Sequence, residues 1–343
     1  MKKGIVVVSL FNGMGTLRQA FEDMGIKVDK YYSSEIKPYA IKLQQHHFPD
    51  VIQVGNILNW REWDIDWSKV DFIGSGSPCQ DLSIAGKRAG LNGSKSSLFW
   101  VFIDILNHVK SLNPNVKFLQ ENVGSAPLED VRIMSEALGV FPVRINSLLV
   151  TAQNRDRYYW SNIKINEDWT GHKVTDIPQP KNRKVFLKDI IQDGFVWNIK
   201  SRAILESEER PLKQQHKMAH RYFNSGFTTL VFKNNSTYLR VKEATKIGFV
   251  DISNGNAVDL SYPKSKTRRG RSMDEKCNCL LRNNEYFVFR DNDLRYFNKT
   301  ELCRLQGFQD DYCDILSRNH SASLLGDGWT LPVIIHILNY WEI

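Results

Sequence analysis

The sequence has 343 residues, 42% of them hydrophobic and 24% charged, which is typical of a soluble globular protein. This length predicts two domains, or one domain with an insertion. No apolar run approaches the roughly 18 residues that span a membrane, so we expect an intracellular protein without membrane segments. The five cysteines lack the spacing of a disulfide framework or a zinc site, so we expect free thiols and no bound metal.

The positive charge is concentrated in one segment. The formal net charge is +8, and residues 181–300 contain 24 Lys and Arg against 13 Asp and Glu, so the rest of the chain is slightly acidic. Nucleic acid is the most common partner of such a segment. A solvated basic face without a partner is the alternative.

The N-terminal stretch predicts a strand, a glycine turn, a helix and a second strand. The apolar run at 4–11 is followed by Gly13 and Gly15, then by a helical pattern. Residues 28–33 form the next predicted strand, and Glu35 follows it. A glycine turn before a helix lets a ligand approach the backbone. In dinucleotide-type folds, an acidic residue about 20 positions later binds a ribose hydroxyl. Alternatively, Glu35 is an acid that stabilises the N-terminus of a helix.

A cysteine follows another predicted buried strand. Residues 70–73 are mostly apolar, and Pro78 restricts the backbone next to Cys79. Ligands of open α/β sheets bind at the carboxyl ends of the strands, so Cys79 is a candidate functional residue. Taken alone, a cysteine that only fills space in the core is the alternative. The basic Gly/Ser-rich loop at 86–97 either closes over a ligand or is a plain linker.

Three more charged side chains occur at predicted strand ends. Glu121 follows a predicted strand at 116–119, so its carboxylate would face the same crevice as Cys79. Arg155 and Arg157 point the same way if the chain is extended, and they suit an anion or a polarised carbonyl. The alternatives are an exposed glutamate and a charged edge strand.

The alternation of strands and helices fades near Trp169. The segments that follow are short, polar, basic and rich in turns, which favours a smaller, mostly β domain. An amphipathic helix at 333–340 then needs a sheet to cover, and the nearest one is N-terminal. We therefore predict a discontinuous first domain, residues 1–170 plus 294–343, and a second domain at 171–293.

Seven motifs, taken in order, resemble those of the DNA (cytosine-5) methyltransferases. They extend over essentially the whole chain, which makes a chance match negligible. The resemblance implies an α/β fold with a Rossmann-like, S-adenosylmethionine-dependent methyltransferase sheet and a smaller, mostly β target-recognition domain. The matching elements are Phe11-x-Gly13-x-Gly15, Glu35, Pro78-Cys79-Gln80, Glu121-Asn122-Val123, Gln153-x-Arg155-x-Arg157, Glu301-x-x-Arg304-Leu305-Gln306-Gly307-Phe308 and Gly326-x-Gly328-Trp329-x-x-Pro332-Val333.

The resemblance also implies a reaction and the residues that perform it. A methyl group would pass from S-adenosylmethionine to carbon 5 of a flipped-out cytosine, leaving S-adenosylhomocysteine. Cys79 would add to carbon 6, and Glu121 would interact with ring nitrogen 3 and the exocyclic amino group. Arg155 and Arg157 would hold the ring carbonyl and the neighbouring backbone. The implied cofactor contacts are Phe11, Asn12, Gly13, Gly15, Thr16, Glu35, Ile36, Asn56, Ile57, Pro78, Asp327, Gly328 and Trp329.

Double-stranded DNA is the implied partner. Asn12 and Asn56 stand where the resemblance leads us to expect acids, but an Asn carbonyl still accepts a hydrogen bond, so we expect similar or weaker cofactor binding. We also expect a monomer from a bacterium or phage, and the resemblance leaves open a companion restriction endonuclease. The candidate DNA contacts are Gln80, Ser83, Lys87, Arg88, Lys95, Lys266, Arg268, Arg269 and Arg271.

Three other functions stay open. An RNA cytosine-5 methyltransferase on the same scaffold is less favoured, because the long basic segment suits a module that reads base edges of duplex DNA. A DNA-binding regulator without catalysis would not need Cys79 and Glu121. A nicotinamide-dependent oxidoreductase is suggested only by the glycine turn and Glu35.

Overall fold

The computed structural model describes residues 4–342 of the chain, except 79–97, 197, 205, 214–216, 219–220, 222–228, 233–237, 254–256, 259–266, 268–271 and 274–293. Its N-terminal half contains the strands β1 (Ile5–Leu10), β2 (Val28–Ser34), β3 (Ile52–Gln53), β4 (Phe72–Ser75), β5 (Lys117–Val123), β6 (Val143–Asn146), β7 (Gln153–Asn154) and β8 (Asp156–Ser161). A seven-stranded sheet has the order β3-β2-β1-β4-β5-β8-β6. The five strands from β3 to β5 run parallel, whereas β8 pairs antiparallel with β5 and β6.

Alternate residues of the strands feed two hydrophobic cores, one on each side of the sheet. Val7 and Phe72 lie in one core, and their neighbours Val8 and Ile73 lie in the other. Helices cover both faces, which gives the three layers of the predicted Rossmann-like methyltransferase fold. The helices are α1 (Thr16–Asp23), α2 (Pro38–His47), α3 (Leu98–Leu112), α4 (Leu128–Leu138), α5 (Leu187–Ile190), α6 (Lys299–Gln306), α7 (Arg318–Asp327) and α8 (Leu331–Leu338).

The C-terminal helices return to the N-terminal sheet. Ile334 and Ile337 of α8 belong to the same core as Phe21 and Phe72, and the ring of Trp341 lies 4.9 Å from that of Phe72. The stretch formed by α7 and α8 is apolar and long enough to span a membrane, but 78% of its most apolar part is buried inside the protein. The two helices are therefore buried to the extent expected of core helices.

The strand order changes direction between β1 and β4. Connections from β1 lead to β2 and β3 on one side, whereas β4 and β5 lie on the other. At such a switch point the loops that leave the carboxyl ends of the two strands diverge and leave a crevice for a ligand. The glycine turn follows β1, and Ser77 and Pro78 follow β4, so residues of two predicted motifs flank this crevice.

The basic part of the chain contains short strands, as expected. They are β9 (Ile165–Glu167), β10 (Lys173–Thr175), β11 (Ser201–Arg202), β12 (Leu230–Phe232), β13 (Tyr238–Lys242), β14 (Phe249–Ser253), β15 (Ala257–Val258), β16 (Ser272–Met273) and β17 (Leu294–Tyr296). One of these strands, β11, pairs with β7 of the N-terminal half, and β12 pairs with β17, which precedes α6. The division into two domains at 170 and 293 stays a prediction.

One predicted strand limit was wrong. The strand expected to end at Leu119 continues to Val123, because β8 pairs with it along that whole length. The strand β6 ends at Asn146, whose side-chain carbonyl accepts from Leu148 N and starts a 3-10 turn. Glu121 consequently lies within a strand rather than after one.

Candidate active site

A cavity of about 390 Å³ lies at the carboxyl ends of β1, β2, β4 and β5. This volume is in the range of small-molecule sites. Segments far apart in the sequence meet in its wall, from the glycine turn to the end of α7. The predicted site residues that line it are Phe11, Asn12, Gly13, Thr16, Glu35, Ile36, Asn56, Ile57, Pro78, Glu121, Arg155, Arg157, Asp327, Gly328 and Trp329.

Gly15, another predicted cofactor residue, is not among the lining residues. It precedes α1 with φ 85°, a left-handed conformation that strains any residue with a side chain. A Cβ at this position would lie 3.5 Å from the side chain of Gln44. Gly15 therefore turns the chain into the helix, behind the residues that face the cavity.

Glu35 ties the glycine turn to the end of β2. Its Oε2 accepts the N–H of Gly13 at 2.8 Å, and its Oε1 accepts the N–H groups of Ile36 and Lys37 at 2.8 and 2.9 Å. A carboxylate offers about four acceptor positions, so Glu35 retains capacity for one hydroxyl of a ligand. These contacts fit both interpretations of Glu35, because it stabilises the backbone before α2 and also lines the cavity.

The side chain of Asn12 belongs to a buried polar network beneath the glycine turn. Its Oδ1 accepts from Ser9 Oγ at 2.7 Å and from the Tyr31 hydroxyl at 2.9 Å, and its Nδ2 donates to Ser33 Oγ at 3.0 Å. Ser33 in turn donates to Gln44, whose amide donates to the carbonyl of Gly13. Burial raises the pKa of Tyr31, so its hydroxyl remains a donor. The network fixes the turn from below.

Glu121 and Arg157 form an ion pair at the end of β5. Arg157 Nε lies 2.8 Å from Glu121 Oε1 as its ion-pair partner, and Trp329 Nε1 donates to Glu121 Oε2 at 3.1 Å. Val123 is paired with Arg157 across the two strands, so Glu121 and Arg157 are diagonal neighbours on one face. Each carboxylate oxygen therefore has one partner, and the carboxylate borders the cavity.

Arg155 lies beside this pair and is 4% exposed. Its Nη1 donates to the carbonyl of Gly326 at 2.9 Å, and its Nη2 lies 3.5 Å from the carbonyl of Asp327. The side chain thus joins the start of β8 to the end of α7. Sequence reasoning placed both arginines in the site but did not predict this contact.

The chain next to Cys79 is held by β5. Ser77 Oγ accepts from Gln120 Nε2 at 2.8 Å and from Asn122 Nδ2 at 3.4 Å, and Pro78 lines the cavity. These contacts fix the backbone one residue before Pro78. Several predicted site residues lie outside the described residues, namely Cys79, Gln80, Ser83, Lys87, Arg88, Lys95, Lys266, Arg268, Arg269 and Arg271.

An ion pair that the sequence did not predict lies in the cavity wall. Lys37 Nζ donates to Asp327 Oδ2 at 2.7 Å, and both residues line the cavity. Burial lowers the pKa of Lys37, but the charge and the hydrogen bond of Asp327 outweigh it, so the pKa lies above its ordinary value. The only sequence signal was the position of Lys37 two residues after Glu35.

The lining offers contacts that suit a nucleoside. Glu35 offers acceptor capacity for a hydroxyl, and Ile36 and Ile57 supply apolar surface for a flat ring. A Cβ built on Gly13 would meet only the carbonyl of Phe11, at 3.9 Å, so the turn leaves room for close approach. Within the described ranges, no cluster of three His, Cys, Asp or Glu side chains has the arrangement of a metal site.

Comparison with known families agrees with the geometry. The model of the family described as C-5 cytosine-specific DNA methylase matches residues 5–341. The chain belongs to this family. The resemblance identified from the seven motifs is thereby confirmed.

Relatives in this DNA methylase family come from phages and bacteria. The chain is 28% identical over 295 residues to the orphan methyltransferase M.SPRI of Bacillus phage SPR. The aligned region covers 78% of this chain and 65% of that protein. It is 24% identical over 349 residues to the type II methyltransferase M.HpaII of Haemophilus parainfluenzae, covering 97% and 88%. The match to M.Rho11sI of Bacillus phage rho11s spans 50% of that protein. The chain thus covers less than two thirds of both phage relatives.

Solved structures share the fold. The Entamoeba histolytica methyltransferase EhMeth superposes with a TM-score of 0.56 at 16% identity, over 99% of this chain and 98% of that one. The S. pombe Dnmt2 methyltransferase gives a TM-score of 0.56 at 12% identity, over 99% and 100%. At these identities the likeness concerns the arrangement of sheet and helices.

Proposed function

We propose that this protein is a DNA (cytosine-5) methyltransferase that modifies cytosine within a specific short duplex sequence. One observation carries the proposal. In a chain of the C-5 cytosine-specific DNA methylase family, a single cavity is lined by the Gly13 turn and Glu35 at one part and by the Glu121–Arg157 pair at another. A methyl donor and a cytosine would therefore meet in one space.

S-adenosylmethionine is the proposed cofactor, and it supplies a methyl group on a sulfonium. Glu35 would accept a ribose hydroxyl, and Ile36 and Ile57 would flank the adenine. Asn56 would accept from the adenine amino group while its Oδ1 also accepts from Leu58 N at 3.1 Å. Asp327 would bind the ammonium group of the methionine part, since it is an acid in the cavity wall.

Cys79 is the proposed nucleophile. Its thiolate would add to carbon 6 of the cytosine, which makes carbon 5 nucleophilic, and would leave after carbon 5 has gained the methyl group and lost its proton. Glu121 would hold ring nitrogen 3 and the exocyclic amino group as the thiolate adds. Arg157, fixed on Glu121 at 2.8 Å, would stabilise the charge that develops on the ring carbonyl.

Duplex DNA is the proposed substrate. Carbon 6 is not accessible within a stacked helix, so the target base must be flipped into the cavity. The basic segment at 171–293 is the proposed recognition domain, and its positive charge supports contacts with phosphates. The names of the relatives support a bacterial or phage enzyme that either acts alone or accompanies a restriction endonuclease inside the cell. We further propose that the enzyme acts as a monomer.

Incubation with labelled S-adenosylmethionine tests the proposal. Unmethylated genomic DNA is offered in one tube and transfer RNA in another, and modified cytosines are mapped by sequencing. We expect label in DNA at one short recurring sequence. Label in RNA alone would instead identify an RNA methyltransferase, and no label together with tight DNA binding would identify a regulator.

A further inference from the structure

The indole of Trp329 contacts Glu121 directly. Its Nε1–H donates to Oε2 at 3.1 Å, and both groups are buried, with Trp329 9% and Glu121 7% exposed. The other carboxylate oxygen lies 2.8 Å from Arg157 Nε, with which it forms an ion pair. A charged group from β8 and a neutral donor from the α7–α8 connection therefore hold the same carboxylate.

The indole packs closely against the end of β4. A Cβ on Gly76 would lie 2.8 Å from the indole Nε1, and one on Gly74 would lie 3.5 Å from the ring. The two glycines thus let the ring lie against the end of β4. Below it, Gln306 of α6 accepts from Thr330 Oγ1 at 2.8 Å and donates to the carbonyl of Leu325, which fixes the backbone on both sides of the tryptophan.

We propose that Trp329 is a positioning residue for Glu121, an inference that rests on the proposed function. Arg157 alone leaves the carboxylate free to rotate about its last bond, whereas a second, rigid donor fixes both oxygens. The indole adds no charge, and it fixes the orientation in which the carboxyl group faces the amino group and ring nitrogen 3 of cytosine. Because Trp329 also lines the cofactor cavity, one side chain links the cofactor to the residue that holds the base.

The test compares two tryptophan-to-phenylalanine variants. Trp329→Phe keeps an aromatic ring but removes the donor to Glu121. Trp60→Phe is the matched control, because Trp60 is also buried and its indole N–H has no hydrogen-bond partner among the residues that the structure describes. For each variant, kcat and KM are measured with DNA, and the affinity for S-adenosylhomocysteine is measured by calorimetry.

For Trp329→Phe we expect kcat to fall about tenfold to a hundredfold, the effect of one hydrogen bond to a charged group. KM for DNA should change little and cofactor affinity less than kcat, and Trp60→Phe should retain the wild-type kcat.

If Trp329→Phe does not fold, Gly76→Ala takes its place, since the added methyl group displaces the indole. An unchanged kcat, or a loss confined to cofactor affinity, would overturn the role of Trp329. An inactive wild-type protein would overturn the proposed function itself, and the role with it.

Discussion

Arg157 and Glu121 are joined by a 2.8 Å ion pair although they lie on different strands, and their side chains are only 15% and 9% exposed. Water and salt screen an ion pair with so little exposure much less than one on the surface. The pair positions a carboxylate and a guanidinium toward the same cavity. The predictions for the reaction start from this geometry.

Glu121→Gln should retain the fold and lose most of the rate. An amide carries no charge for Arg157, and if its oxygen accepts from Trp329, its NH₂ group faces the guanidinium. We expect kcat to fall about a hundredfold or more, the usual contribution of a positioned acid–base group. Turnover, the unfolding midpoint and DNA affinity are measured together. Full activity in a folded variant would assign Glu121 a structural role.

Cys79→Ala should abolish methyl transfer and leave DNA binding intact. Without a thiolate the cytosine ring stays a poor nucleophile, whereas contacts to the DNA backbone are unaffected. Cys303→Ala is the control, because Cys303 is a buried free cysteine of α6, in the core. Turnover with labelled cofactor and a DNA mobility assay give the two readouts. Methyl transfer by the Cys79 variant would contradict the proposed mechanism.

The sequence predicted which residues meet, but not how they contact one another. The motifs placed Glu121 and Arg157 in one crevice, because strand ends converge in an α/β sheet. The insertion of β8 between β5 and β6, which makes the two residues neighbours, depends on long-range pairing that no local pattern encodes. The same holds for Trp329, which lies 208 residues from Glu121 in the sequence.

Lys37→Gln should tighten the binding of S-adenosylmethionine. The lysine pairs with Asp327 at 2.7 Å, and its charge opposes a sulfonium and competes for the acid that would bind the ammonium group. Both side chains are partly exposed, so we expect an increase in affinity of only about two- to fivefold. Asp327→Asn should weaken binding.

Calorimetry with two ligands separates these effects. S-adenosylhomocysteine lacks the sulfonium charge, so its affinity should rise less than that of S-adenosylmethionine in the Lys37 variant. Lys164→Gln, which removes another partly exposed lysine paired with an acid, Asp176, serves as the control and should change neither affinity. Equal gains for both ligands would mean that only the competition for Asp327 matters.

Asn12→Asp should destabilise the protein, although the resemblance leads us to expect an acid there. The amide both accepts from Tyr31 and donates to Ser33, whose own hydrogen is donated to Gln44. A carboxylate would face Ser33 without a donor, and it would be buried. We expect the free energy of unfolding to fall by about 1–3 kcal/mol, the usual effect of an unsatisfied buried group.

Asn56→Asp is the matched control for this effect. The Asn56 side chain accepts from Leu58 N, a bond that a carboxylate also makes. Urea unfolding at neutral pH should therefore show a loss for the first variant and little change for the second. Equal stabilities would mean that the network beneath the glycine turn tolerates an acid.

Glu301→Gln should destabilise the contact between α6 and the basic segment. The carboxylate is fully buried and accepts from Arg295, from Asn298 N and from Gln192 N, and Arg295 also binds Asp193. An amide leaves the partly buried guanidinium of Arg295 with Asp193 as its remaining counter-charge, so we expect a loss near the lower end of the ~3–5 kcal/mol that breaking a buried pair costs. Glu129→Gln removes the carboxylate of an exposed pair with Arg132 and should change stability little. Urea unfolding curves of the two variants compare the same substitution in a buried and an exposed pair, and a similar midpoint for both would show that the Glu301 network does not hold the segment.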